Sequence, residues 1–434
     1  MLFCNFQSSF IYFKNMNFPF YALAFAAVVL CACSNSEGEI PSASTTSSAA
    51  PKYLPLNDTE YPYAGIPRIV IETENKSEVE DIVTEIPAKL QIWGEHAPES
   101  EVLDMTIRGR GNSTWDMPKK SYKLEFSDKQ PMLGMPEDRD WALIANYADK
   151  TLMKSYLAFR LSASLGAYYS PRCKFAEVYL NREYLGVYLL TETLKISKNR
   201  IRVPEPNKTF LVEIDAKSRK SDHVYLTNLG KALNIHYPKE LNEHTQDTLV
   251  SFVNNFESYV LLMKQYKNLS LDRWIDINEY IRHYWIQEFT KNLDADFYTS
   301  VYFTWSTSGR IFMGPVWDFD LAFGGHNTEE KRLPSGYGIR GHYWNEYLFN
   351  DTDFLQKTRD FWDAHKADFL SVLDSIDYYK TILEKPAKNN FKRWDILQTV
   401  NNLHHPKAYG SYDEAVQDLK KWTAKRFMWI DQER

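Results

Sequence analysis

Two pairs of aspartates carry the strongest chemical signal in this chain. Asp318 and Asp320 stand in Gly314-Pro-Val-Trp-Asp-Phe-Asp-Leu-Ala-Phe-Gly324, among bulky apolar residues where solvated charges seldom sit. A buried carboxylate needs a partner, and for two hard oxygen donors this close in sequence a divalent cation is the natural one. Asp294 and Asp296 lie upstream in Asn292-Leu-Asp-Ala-Asp-Phe-Tyr-Thr-Ser-Val-Tyr302. A hairpin between the pairs would bring them together. One acid would then hold a metal while another orients and deprotonates a hydroxyl, the division of labour of phosphoryl transfer.

The elements that must place these acids are legible around them. Asp276 and Glu279 form an N-cap and its capping-box partner, and Ile277, Tyr280, Ile281, Tyr284, Trp285 and Phe289 recur with helical period. The predicted helix packs on the core and ends near Asn292. Its C-terminal end carries partial negative charge, so Asp294 and Asp296 begin where acids are disfavoured. Taken alone they read as solvated loop acids. A strand over 300–305, a turn at Ser306-Thr-Ser-Gly309 and a return strand over 310–313 then deliver the chain to Asp318.

Upstream the pattern is strand-rich. Residues 68–73, 103–108 and 121–126 read as strands of one sheet, the last with Tyr122, Leu124 and Phe126 on one face. A helix follows Asp149, carrying Leu152, Met153, Tyr156, Leu157 and Leu161. Strands over 175–180 and 184–190 meet at Asn181-Arg-Glu, a hairpin position. Beyond about residue 240 the chain turns helical, and helices predicted at 354–373, 378–383 and 412–427 complete the fold or bind a partner.

A basic, glycine-containing segment, Ile107-Arg-Gly-Arg-Gly-Asn-Ser-Thr-Trp115 with Pro118-Lys-Lys-Ser-Tyr-Lys123, lies near the front. Glycines let backbone N–H groups approach an anion, and lysines opening a strand can reach phosphates. By itself the pattern is equally a turn on a solvated face. It lacks the third glycine of a dinucleotide fingerprint and the Gly-Lys-Ser/Thr of a P-loop.

Lys14 and an apolar stretch from Asn17 to Ala32 precede Leu30-Cys-Ala-Cys33 and polar Ser34-Asn-Ser-Glu37. The stretch falls short of the ~20 strictly apolar residues of a spanning helix. Its small-residue-then-cysteine ending resembles a bacterial lipoprotein signal over 1–32, with Met16 an alternative start, cleavage before Cys33 and lipid on its thiol. The expected location is a membrane-anchored lipoprotein on the periplasmic face or cell surface. Residues 33–58, rich in Ser, Thr, Ala and Pro, read as a flexible tether. With Cys33 lipidated, Cys173 has no disulfide partner and reads as a half-buried small hydrophobe. At 44% hydrophobic and 15% aromatic, the chain has material for one large domain or two lobes, and a net charge of −6 argues against nucleic-acid binding.

Six blocks in order extend the pattern: Arg108-Gly-Arg-Gly-Asn-Ser-Thr-Trp115 with Pro118-Lys-Lys-Ser-Tyr122; Trp141-Ala-Leu-Ile-Ala-Asn-Tyr-Ala-Asp-Lys150; Tyr184-Leu-Gly-Val-Tyr188 with Thr191-Glu192; Phe210-Leu-Val-Glu-Ile-Asp215; and the two acidic loops. Together they resemble the CotH (spore-coat protein H) kinase family. The resemblance implies an α+β, atypical protein-kinase-like fold of two lobes over 59–434, with a strand-rich N-lobe at about 64–235 and a helical C-lobe at about 240–434. It implies ATP and Mg²⁺ or Mn²⁺ as cofactors and a protein Ser/Thr hydroxyl as acceptor. Asp294 would be the catalytic acid, with Asp296 able to exchange roles with it, and Asp318 and Asp320 would bind metal. Arg108, Arg110, Asn112, Ser113, Lys120, Lys123 and Glu192 are nucleotide-site candidates. Glu192, Glu213 and Asp215 are equally polar groups that organise the hinge between lobes.

An exported protein meets little ATP, so two other classes stay open. One is a non-catalytic kinase-like surface scaffold, against which the retained acids argue. The other is a polysaccharide-active enzyme using paired carboxylates, with Trp305, Trp317 and Trp344 as sugar platforms.

Overall fold

The structure, a computed structural model, describes residues 54–218, 224–240, 243–266, 269–307, 309–401 and 405–434. Cys33, the expected signal peptide and most of the expected tether lie outside the described residues. Among the described residues no helix is long and apolar enough to cross a membrane.

Seven strands close into a barrel. They are β1 (Arg68–Thr73), β2 (Ile86–Trp93), β3 (Leu103–Arg110), β4 (Ser121–Met132) and β5 (Met135–Ile144), then, after helix α1 (Lys154–Ser164), β6 (Cys173–Leu180) and β7 (Glu183–Glu192). The order around the barrel is β1-β2-β3-β4-β5-β7-β6, and β6 running parallel to β1 closes it. The alternation expected in β4 holds, with Tyr122, Leu124 and Phe126 in the barrel core beside Ile107, Trp141 and Leu190. The β6–β7 hairpin turns through Asn181 and Arg182, both at positive φ, as a two-residue turn between twisted strands requires.

Two barrel strands are not evident from local pattern. β5 reads as a charged loop because Glu137, Asp138, Arg139 and Asp140 follow Pro136. It pairs as a strand because Lys195 neutralises Asp138 and Asp140, at 3.1 and 2.5 Å. In β2, Pro87 hides the alternation of buried Ala88 and Leu90.

A second sheet has the order β12-β11-β8-β10-β9, built from β8 (Thr209–Ile214), β9 (Val224–Leu226), β10 (Ala232–Tyr237), β11 (Val301–Ser306) and β12 (Ile311–Met313). β8 hydrogen-bonds β11 from Thr209–Ser306 to Ile214–Val301. This sheet therefore joins strands from both sides of residues 235–240, the border expected between lobes. Between its halves run helices α2 (Glu243–Leu262) and α3 (Ile277–Thr290).

Asp276 caps α3 as expected, accepting the Glu279 N–H at 3.0 Å. The capping box is only half made, because the Glu279 carboxylate turns to Arg282 and to the Tyr168 N–H. The short helices α4 (Glu329–Arg332) and α5 (Trp344–Leu348) lead to α6 (Thr352–Arg393) and α7 (Tyr412–Glu433). The break expected between 373 and 378 is absent: α6 is one helix of 42 residues. Nothing there breaks a helix, since Ser375 bonds back to the Ser371 carbonyl and Ile376 is buried in the core. Even Pro386 lies inside it.

Candidate functional site

α3 ends at Thr290, and Lys291 caps it in the left-handed conformation. The chain then makes a short 3-10 turn, Leu293–Ala295, that holds Asp294. Phe297 and Ser300 also adopt positive φ, and so do Asp318 at 60° and Phe323 at 51° in the second loop. For residues other than glycine this backbone costs energy, and a cluster of it marks a place whose geometry is imposed by its surroundings.

The imposing contacts can be named. The Asn292 side-chain amide donates to the Asp318 carbonyl at 2.8 Å and to Gln287 Oε1 at 3.0 Å, tying the two acidic loops to α3. The Phe323 N–H donates to the Thr290 carbonyl at 2.7 Å. Ser300 Oγ donates to Asp318 Oδ2 at 3.2 Å. The β11–β12 hairpin thus returns the second pair of acids onto the first, as their order in sequence suggests.

Electrostatics follow from that convergence. Burial, and then the Asp318 charge, push the Asp294 carboxyl up to about 6. Asp320 is pushed up to about 7 by burial and by the charges of Asp318 and Asp149, against the pull of Lys154. Burial also raises Asp318, opposed first by the Ser300 hydrogen bond and then by Arg110 and Lys217. Asp296 is raised by burial too, but its neighbours differ. His342 Nδ1 lies 3.7 Å from its Oδ2, and Lys231 and Lys331 offset the shift. Asp294, Asp318 and Asp320 therefore form one crowded set, and Asp296, whose charge also acts on Asp294, is met in addition by His342 and Lys231.

From the barrel, Arg110 at the end of β3 reaches this set. Its guanidinium lies over the Trp317 ring at 5.1 Å and feels Tyr302, Asp318 and Asp320, which offset the burial that lowers its pKa. The glycines beside it are required. A Cβ on Gly109 would lie 2.4 Å from the Trp115 ring and 2.6 Å from the Asp81 carbonyl. Gly111 is at φ +107°.

The other nucleotide-site candidates do not join the acids. Arg108 holds the Ile82 carbonyl at 2.6 Å and approaches Glu85 at 3.6 Å. Lys120 donates to the Trp115 carbonyl at 2.5 Å. Lys123 projects from β4 opposite the core-facing Tyr122 and Leu124 and pairs with Glu125 and Asp140, at 2.7 and 3.2 Å. Asn112 and Ser113 are exposed beyond β3. Glu192 is enclosed, with Arg200 and Arg172 on one oxygen and the Tyr169 hydroxyl and Arg172 N–H on the other. Both of its oxygens are spent on the protein itself. Glu213 bonds His236 at 2.7 Å, and Asp215 accepts from Thr299 Oγ1 at 2.7 Å. Cys173 is half-buried and its thiol is pushed up by burial, as expected of a packed residue rather than a nucleophile.

Sequence reasoning missed Asp149, Lys154 and Lys217. Asp149 and Lys154 frame the start of α1, where the Asp149 carboxylate accepts the Thr151 and Lys154 N–H groups, both at 2.8 Å. The signal was present in Ala148-Asp-Lys150, but it reads first as a helix cap. The three tryptophans proposed as sugar platforms are buried: Trp305 lies on Phe210 and Phe252, Trp317 on Phe159, and Trp344 is fully enclosed. They cannot stack on a glycan, which removes the aromatic part of the support for the polysaccharide reading.

No metal-ligand group of three or more His, Cys, Asp or Glu is assembled among the described residues. The donor set nonetheless fits a hard divalent ion. Mg²⁺ takes one or two carboxylates and completes its shell with water and substrate phosphates. Asp318 and Asp320 could supply those carboxylates, and burial, which raises both, disfavours their charged forms when no cation is present.

The chain is α+β, with a closed barrel and, beyond it, a helix–hairpin–loop junction that gathers acids from two loops. The family model described as CotH kinase protein matches residues 107–430, and the chain belongs to that family. Among curated proteins, none matches the chain.

Proposed function

We propose that the protein transfers the γ-phosphoryl group of ATP to a protein Ser or Thr hydroxyl, on a two-lobed kinase-like fold. The observation that carries this is the convergence of Asp294 with Asp318 and Asp320, with Arg110 reaching them from the barrel. Asp294 takes the proton of the attacking hydroxyl. An oxygen–phosphorus bond forms as the bond from the γ-phosphorus to the β–γ bridging oxygen breaks, and ADP leaves. A carboxyl poised near pH 6 suits a base acting at neutral pH. Asp296 suits it less, because His342 and Lys231 offset its shift, and neither Asp318 nor Asp320 is among the charges that shift it. Asp318 and Asp320 would hold the divalent ion, which supplies charge neutralisation on the phosphates. Ser300 and Asn292 fix the orientation of Asp318. In keeping with the N-terminal signal, we place the protein on a lipid anchor outside the cytoplasm.

Purified protein with radiolabelled ATP and Mg²⁺ or Mn²⁺ tests the reading. Asp294→Asn lowers transfer by ~10²–10⁴ with nucleotide affinity kept, whereas Asp318→Ala weakens metal-dependent nucleotide binding itself. Equal transfer by wild type and Asp294→Asn would remove the role from Asp294. A melting temperature indifferent to every nucleotide and metal would leave a surface scaffold instead.

A further inference from the structure

The turn that leaves β8 is latched to the acidic loop. The Ala216 N–H donates to the Tyr298 carbonyl at 2.7 Å, and Asp215 Oδ1 accepts both Thr299 Oγ1 at 2.7 Å and the Lys217 N–H at 2.9 Å. These bonds set the backbone of Lys217 beside the stretch between Asp294 and Ser300. Its Nζ lies 5.6 Å from the centre of the exposed Tyr298 ring. Among the described residues it makes no ion pair within 4 Å, unlike Lys123 and Lys195, which are each held by two carboxylates. Its charge nonetheless acts on Asp294 and on Asp318, one acid from each loop. An exposed cation, unpaired among the described residues, whose charge acts on both the acid assigned to the acceptor and the acid assigned to the metal, is suited to a phosphoryl group passing between them.

We propose that Lys217 is a catalytic residue whose ammonium contacts the non-bridging oxygens of the phosphoryl group in transit, with Asp215 and Thr299 as its positioning residues. The proposal rests on the phosphoryl-transfer reading of the site. Negative charge spreads over those oxygens in the transition state, and a cation placed there lowers the barrier without needing to bind the ground state more tightly.

The experiment compares Lys217→Met and Lys217→Arg with wild type in the full-length protein. It measures transfer from radiolabelled ATP–Mg²⁺, calorimetric affinity for ATP–Mg²⁺, and melting temperature. Loss of one such electrostatic contact lowers turnover by ~10²–10³. Lys217→Met should show that loss with nucleotide affinity within about threefold and an unchanged melting temperature, and Lys217→Arg should recover much of it. Wild-type turnover in Lys217→Met overturns the assignment while the reading of the site stands. Weaker nucleotide affinity at unchanged turnover also overturns it, making Lys217 a ground-state contact. A wild-type protein that neither binds nucleotide nor transfers phosphate overturns both.

Discussion

On the barrel strands Glu192 is met by Arg200, Arg172 and Tyr169, and Glu177 by Tyr184 and Asn389, so that each of these buried carboxylates is enclosed by groups of the protein itself. In the loops beyond α3, burial raises Asp294, Asp318 and Asp320, the Asp318 charge adds to the rise of the other two, and the chain around them takes left-handed turns at residues other than glycine. The first arrangement is complete as it stands. The second gathers negative charge that Arg110, Lys154 and Lys217 offset only in part, since all three acids stay raised.

Mutations should separate the two regions by sign as well as by size. The largest effect is expected in the barrel, where Glu192→Ala strands the buried Arg200, whose Nε and Nη2 already lack partners. Breaking a buried pair of this kind costs about 3–5 kcal/mol, read as a lower urea midpoint. A loss under about 1 kcal/mol would show that the barrel's pairing is incidental. Next, Gly109→Ala should lose about 1–3 kcal/mol by driving a methyl group into Trp115, and a thermal melt unchanged by the substitution would mean that the loop yields freely.

In the acid loops the sign reverses. Metal-free Asp320→Asn should be more stable than wild type by on the order of 1 kcal/mol at pH 8, since it removes a crowded charge. The pH dependence follows from the raised pKa of Asp320. An acid near 3.8 when unfolded and about 7 when folded favours the folded state fully at low pH, and that favour drains away as pH rises from about 4 to about 7. Unfolding in EDTA should show this decline in wild type and a smaller one in Asp320→Asn. Equal slopes would break the contrast. Smallest of all, Lys123→Met should change stability by no more than about 1 kcal/mol and leave nucleotide affinity alone, because its partners line the outside of the barrel. A clear loss of affinity would return Lys123 to the site.

The acids themselves were legible because carboxylates among Trp, Phe and Leu are anomalous at the level of single residues, and α3 because its apolar period is long. Membership of the CotH family was legible for the same reason, its blocks being dense in such anomalies. The cation partners were not. Lys217 and Lys154 reach the acids through tertiary placement, and nothing local distinguishes them from Lys120 or Lys123, which stand closer to the glycines but turn elsewhere. β5 was hidden by charges whose neutralising partner, Lys195, is distant in sequence. The continuity of α6 was hidden because a polar stretch in a long helix reads as a gap until the neighbours that bury Ser375 and Ile376 are known.

Those same neighbours give α6 a mechanical role. At 1.5 Å per residue its 42 residues form a strut of about 60 Å. One end is bolted to the helical half, where the Thr358 carbonyl accepts from Trp285 and Trp362 packs on the Trp285 ring, centroids 4.9 Å apart. The other is bolted to the barrel, where Asn390 takes the Lys119 ammonium and the Val187 N–H while Asn389 donates to Glu177. Pro386, which has no N–H to offer the turn before it, sits one turn ahead of the barrel bolts. α6 is thus one of the elements that tie the barrel to the helical half, and the turn that Pro386 weakens lies at its barrel end, far along the chain from the acidic loops.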